Sequence, residues 1–138
     1  MQKIGNEEIG YISALMQATG VMARDCVLLP GKVIFIVEPG DKGKAIGKKG
    51  IKIQALKNRL NKDVDIIEWS PNLSDFVANI FYQAKIREVG EREKDGKKVV
   101  LVSVEPRDKG LAIGRGGERI NIARALIDRY YRAEIRVV

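Results

Sequence analysis

Two short segments rich in glycine and basic residues are the parts of this sequence best suited to hold a ligand. They are Gly47-Lys48-Lys49-Gly50 and Gly114-Arg115-Gly116-Gly117. Glycines let a chain turn tightly and let a ligand approach the backbone closely, and a helix that begins after such a turn directs unpaired N–H groups and its positive end toward it. The basic side chains add full positive charges at the same places. The pattern therefore predicts binding of phosphate groups.

Other chemistries for these glycines fit poorly. The run from Gly43 to Lys49 is one residue too short between its glycines for a Walker A loop and lacks the Ser or Thr of that motif. The chain has no histidine, and carboxylates such as Asp63 and Asp65 alternate along a strand instead of converging. Cys26 has no imidazole to activate it, so a buried structural thiol is expected. We expect no enzyme, no catalytic residue, no metal site and no cofactor.

The composition favours a polyanionic partner. The 138 residues include 25 Lys and Arg against 18 Asp and Glu, which gives a net charge of +7. A surface of this charge attracts nucleic acid. One cysteine excludes an intrachain disulfide, and neither a signal peptide nor a run of about 18 apolar residues is recognisable. We therefore expect a cytoplasmic protein that does not contact a membrane.

The two glycine loops belong to an internal repeat. The segment from Glu38 to Gly50 and the segment from Glu105 to Gly117 share nine of 13 residues at an offset of 67. Each loop is preceded by Ala-Ile, and turn formation alone does not require that context. The repeat predicts two domains, residues 1–70 and 71–138, with the boundary near Ser70-Pro71-Asn72.

The elements around the loops have the same order in both copies. Each copy is predicted to contain a helix, two strands, a short helix, the glycine loop, a longer helix and a closing strand. Asp95-Gly96 predicts a hairpin turn in the second copy, Asn72 to Asp75 begins a helix there, and Asp41 and Asp108 are expected to cap the short helices. The fold class is α/β (α+β), with a three-stranded sheet covered by helices in each domain.

Isoleucines near each loop could form the floor of a groove for bases. They are Ile46, Ile53 and Ile66 in the first copy and Ile113, Ile120 and Ile135 in the second. For each of them, packing in the core explains the residue type equally well. We expect Lys52 and Arg119, which follow the loops, to contact the same nucleic acid as the loops and the groove.

Three segments of the sequence carry a resemblance to a known family: Ala45 to Leu56, Asp63 to Ser70 and Ala112 to Ile120. They resemble the tandem KH region of NusA transcription factors, and the similarity covers essentially the whole chain. The resemblance implies two type II KH domains whose glycine loops clamp about four nucleotides. Bacterial members carry a polymerase-binding domain and an S1 domain ahead of this region, so a chain of two KH units looks like the archaeal form.

The resemblance implies binding of single-stranded nascent RNA during transcription elongation or termination. A monomer is expected, with RNA polymerase or a transcription complex as a further partner. The alternative is a KH-type factor or chaperone in ribosomal RNA maturation or ribosome assembly. Both functions would use the same KH surface on RNA.

Overall fold

The structure is a computed structural model that describes residues 4–138. The chain divides into two compact units, residues 4–70 and 71–138. Both units have the predicted order of elements, and each contains one three-stranded sheet. The predicted α+β fold is confirmed.

The first unit begins with a helix and ends with a strand. Its elements are, in order, α1 (Asn6–Thr19), β1 (Ala23–Leu29), β2 (Lys32–Val37), α2 (Lys42–Ile46), α3 (Ile51–Leu60) and β3 (Asp63–Glu68). Strand β2 lies in the middle of the sheet, antiparallel to β1 and parallel to β3. The parallel pair requires a crossover between β2 and β3, and α2, the glycine loop and α3 form that crossover.

The second unit repeats this topology. Its elements are, in order, α4 (Leu73–Ile80), β4 (Ile86–Lys94), β5 (Lys97–Val104), α5 (Lys109–Ile113), α6 (Glu118–Tyr131) and β6 (Glu134–Val137). Strand β5 is antiparallel to β4 and parallel to β6. The β4–β5 hairpin turns at Asp95 and Gly96, which both have positive φ, as the Asp-Gly pair predicts.

The core of the first unit lies between its helices and one face of its sheet. Val33, Phe35 and Val37, alternate residues of β2, lie on this face, as the period of two in a strand requires. Cys26 is 1% exposed and belongs to this cluster, as expected for a structural thiol. The buried members of the cluster are Ala14, Leu15, Val21, Ala23, Cys26, Val33, Phe35, Val37, Ala45, Leu56, Val64 and Ile66.

The second unit buries the same kinds of positions. Val100, Val102 and Val104 of β5 alternate as buried residues, and α6 buries five of its side chains. The ring of Phe76 in α4 meets the ring of Tyr130 in α6 edge to face, with centroids 5.7 Å apart. These contacts position α6, which begins at the second glycine loop.

The prediction that Asp41 and Asp108 cap the short helices is wrong. Neither side chain accepts a hydrogen bond from the first turn of its helix. Asp41 has φ −91° and ψ −13°, which are helical values, whereas a capping residue has an extended backbone that directs its side chain at the helix. The carboxylate of Asp108 instead accepts a hydrogen bond from the N–H of Lys85 at 2.9 Å. At Asn72 the predicted helix start is confirmed, because its side chain accepts from the N–H of Asp75.

Asp63 connects three elements of the first unit. Its carboxylate lies 3.1 Å from Nζ of Lys32 in β2 and 3.4 Å from Nζ of Lys57 in α3. Partial burial by itself raises the pKa of Asp63, but the hydrogen bond and charge of Lys32 and the charge of Lys57 outweigh it, so the pKa lies below its usual value. The contact joins α3, the helix that follows the first loop, to the sheet beneath it.

Candidate nucleic-acid interface

The first glycine loop requires glycine at its first position. Gly47 has φ +77°, in the region that L-residues rarely adopt. A Cβ at Gly47 would lie 2.7 Å from Cγ and 3.1 Å from the backbone nitrogen of Lys52. The loop backbone is therefore pressed against the first turn of α3. That contact places the loop directly beside the positive end of the helix.

The second loop has the same construction. Gly114 has φ +81°, and a Cβ there would lie 2.8 Å from the backbone nitrogen of Arg119. Gly117, with φ +79°, directly precedes α6, just as Gly50, with φ +73°, directly precedes α3. Two sequences that differ in their inner residues thus form one backbone shape.

The third loop position is left-handed in both copies. Lys49 has φ 55° and ψ 25°, and Gly116 has φ 62° and ψ 19°. Glycine adopts this conformation without cost, whereas a lysine in it is strained. The first loop therefore has a second exposed cation, Lys49, whose left-handed backbone costs free energy. Gly116, at the same position of the second loop, has no such cost.

The charges around the two loops differ. In the first unit Lys48, Lys49 and Lys52 are all exposed. In the second unit Arg115 is exposed, but the residue that follows the loop is the acidic Glu118. The first loop therefore presents more positive charge to a polyanion than the second.

Two contacts within the second unit fix the orientation of the Arg119 side chain. Its guanidinium donates a hydrogen bond to the carbonyl oxygen of Ile80 at 3.2 Å and lies 5.0 Å from the centroid of the Tyr82 ring. The side chain is half-buried and reaches from the second loop to the end of α4. Lys52, which stands 67 residues earlier in the repeat, is exposed instead.

The predicted groove residues have very different exposures. Ile113 is 43% exposed, and Ile46 and Ile53 are half-buried against the core. Ile66 is 1% exposed, so it offers almost no surface to a base in this structure, and its place in the groove stays a prediction. It lies on the helix-covered face of the sheet, and that face is filled by the core. Ile120 and Ile135, at 8% and 4% exposed, also offer little surface to a base.

An open cleft of about 900 Å³ adjoins the first loop. It is formed by the loop and by α3, so Ile53 lines it but Ile66 does not. Four further lining residues, all in α3, were not predicted from the repeat: Ile51, Gln54, Ala55 and Asn58. The lining residues are Lys48, Lys49, Gly50, Ile51, Ile53, Gln54, Ala55 and Asn58.

Three exposed apolar or aromatic side chains near the loops escaped prediction. Ile51, the first residue of α3, is 68% exposed; Leu111 of α5 is 47% exposed; and Tyr82 is 50% exposed. The repeat held a partial signal, because Ile51 aligns with Glu118 and Leu111 with Lys44. An apolar residue that aligns with a charged residue in the other copy is not expected in the core, because a core position is apolar in both copies. No such signal pointed to Tyr82, which lies outside the aligned segments.

Residues 4–138 lack two other kinds of feature, a membrane-spanning helix and a metal-ligand cluster. Among these residues no helix is both long enough and apolar enough to cross a bilayer. Within the same part of the chain no three His, Cys, Asp or Glu side chains lie together as metal ligands.

Comparison with known proteins shows which family and which solved structure this chain is similar to. The family profile of the KH domain matches residues 11–90. The crystal structure of the protein APE1850 has a TM-score of 0.89 and 37% sequence identity to this chain, and the match covers 98% of this chain and 99% of that one. The fold of this chain is therefore shared with a solved structure.

Several curated relatives are NusA proteins. A probable transcription termination protein NusA of Methanococcus vannielii is 34% identical, over 88% of this chain and 70% of that protein. One of Halococcus morrhuae is 32% identical, over 93% of this chain and 91% of that protein. The transcription termination/antitermination protein NusA of Bacillus subtilis is 34% identical over 61% of this chain, which corresponds to 22% of the bacterial protein.

Proposed function

This chain belongs to the NusA family of KH-domain proteins, and on that premise we propose that it binds single-stranded nascent RNA through both glycine loops and acts in transcription termination or elongation. It binds RNA without catalysing a reaction on it. The observation that carries the proposal is the shared backbone of the two loops, each with a glycine pressed against the first turn of a helix. Turn formation alone does not require that contact in both copies.

RNA binding would begin with the phosphates. Each loop brings backbone N–H groups, the positive end of a helix and at least one exposed cation to the same spot, and this combination favours an anion. A loop of this kind holds a short stretch of backbone, and the bases then turn toward the adjoining surface. In the first unit the cleft of about 900 Å³ beside Ile51 and Ile53 is the surface available to them.

Replacement of two lysines tests the role of the loop. The double variant Lys48→Asp/Lys49→Asp should weaken binding of short single-stranded RNA at least tenfold, which corresponds to about 1.4 kcal/mol, because it reverses both inner charges. The matched control is Lys97→Asp/Lys98→Asp, another adjacent and exposed lysine pair, in the β4–β5 hairpin. The dissociation constants can be measured by fluorescence anisotropy.

Equal losses in the loop variant and the hairpin variant would mean that net charge, and not the loop, is responsible for binding. Circular dichroism of both variants verifies that they fold.

The cellular role needs a separate experiment, in which the wild-type protein is captured from a native lysate. RNA polymerase in the captured material supports the transcription role, whereas ribosomal particles without polymerase support a role in ribosome assembly.

A further inference from the structure

An aromatic side chain lies close to the second loop. Tyr82 follows α4 and is 50% exposed, although only 6% of the residues in this chain are aromatic. The guanidinium of Arg119 lies over its ring at 5.0 Å from the centroid, a distance typical of a cation–π contact. The same side chain donates to the carbonyl of Ile80, so Arg119 is held at two points next to the ring.

Arg119 links Tyr82 to the loop that is proposed to hold RNA. Its backbone nitrogen lies against Gly114, the first residue of the loop, and its guanidinium reaches Tyr82. The ring is therefore separated from the loop backbone by one arginine side chain and the 5.0 Å cation–π contact. A strand held at the loop would bring a neighbouring nucleotide close to this ring.

The first unit is built differently at the corresponding place. Its first helix ends at the buried Thr19 and is followed by Gly20, and Lys52 stands where the second unit has Arg119. The first loop has two inner lysines, whereas the second has one inner arginine, and Glu118 directly follows that loop. The second unit thus offers less charge near its loop but more exposed apolar and aromatic surface, which includes Leu111 and Ile113.

We propose that Tyr82, positioned by Arg119, is a stacking site for one nucleobase of the RNA strand held by the second loop. The proposal rests on the proposed RNA-binding function and adds a base contact to it. Every nucleobase has a π-face, so the contact accepts any base and strengthens binding without selecting a sequence. Tyr82 would be a binding residue and Arg119 its positioning residue.

The test couples a change in the protein to a change in the RNA. Tyr82→Ala should weaken binding of a short single-stranded RNA about tenfold, as the loss of one base–aromatic stack does. Tyr82→Phe keeps the ring and should bind within about twofold of wild type. A set of oligomers, each with one abasic nucleotide, is then titrated against wild type and Tyr82→Ala. At one position the abasic nucleotide should weaken binding by wild type but not binding by Tyr82→Ala.

Three results would overturn the stacking site while leaving the function intact. One is an unchanged affinity of Tyr82→Ala, with Lys48→Asp/Lys49→Asp still impaired. Another is additivity of the protein and RNA changes at every position, which would show that Tyr82 contacts no base. The third is a loss of affinity in Tyr82→Phe equal to that in Tyr82→Ala. Failure of the wild-type protein to bind any single-stranded RNA would overturn both proposals.

Discussion

The inner residues of the two loops show how one backbone shape can hold different side chains. Lys49 and Gly116 occupy the same left-handed conformation, but only glycine adopts it without strain. A lysine is therefore placed where the backbone favours glycine. A charge at this position is the property that the first loop has and the second lacks, which is consistent with a phosphate-binding role for Lys49.

Lys49→Gly should separate stability from binding. Because Gly relieves the left-handed strain, the free energy of unfolding should not fall and could rise by about 1 kcal/mol. RNA affinity should fall, because one cation is lost. The control is Lys48→Gly, which removes an equal charge where φ is not positive and should lower stability. Urea denaturation and anisotropy titrations measure the two effects, and a lower stability for Lys49→Gly than for Lys48→Gly would contradict the strain argument.

At the scale of elements, each loop depends on how firmly the following helix is fixed to its sheet. In the first unit Asp63 of β3 pairs with Lys32 of β2 and Lys57 of α3. The two lysines more than offset the effect of burial and lower the pKa of the carboxyl. A group whose pKa is lower in the folded state stabilises the fold above its unfolded pKa and loses that contribution as the pH falls through the folded value.

Asp63→Asn should therefore lower the free energy of unfolding at neutral pH by a modest amount, since the Asp63 side chain is half exposed. The difference between wild type and variant should shrink as the pH falls below about 4, the usual pKa of an unfolded Asp. Denaturation of both proteins across an acidic pH series measures this difference. A difference that is constant with pH would show that the pair does not act through the charge of Asp63.

At the scale of the whole molecule, the two units carry the same loop with different surroundings. The first has exposed lysines and a wide cleft, and the second has fewer cations with exposed Leu111, Ile113 and Tyr82. We infer that the first unit contributes more of the electrostatic part of RNA binding. The second should contribute relatively more through contacts with bases.

The salt dependence of RNA binding tests this division. Log affinity should fall linearly with log salt concentration, with a slope of roughly 0.7 for each phosphate neutralised on a single strand. Lys48→Gln/Lys49→Gln should reduce the slope by about twice as much as Arg115→Gln, because it removes two cations instead of one. Tyr82→Ala should leave the slope unchanged while weakening binding. Equal slopes for the loop variants would argue against the division.

The sequence by itself determined the loops, the order of elements and the family resemblance. The left-handed glycines of the loops, the Asn72 cap and the Asp95-Gly96 turn are local preferences of the backbone, and the repeat showed the loop glycines twice. Only the tertiary structure decided which side chains reach solvent. Ile66 and Ile113 look alike in sequence, but one lies beneath helices and the other beside a loop. Arg119 and Tyr82 meet only because α4 packs near the start of α6. Burial and such contacts depend on elements distant along the chain, and local patterns do not contain that information.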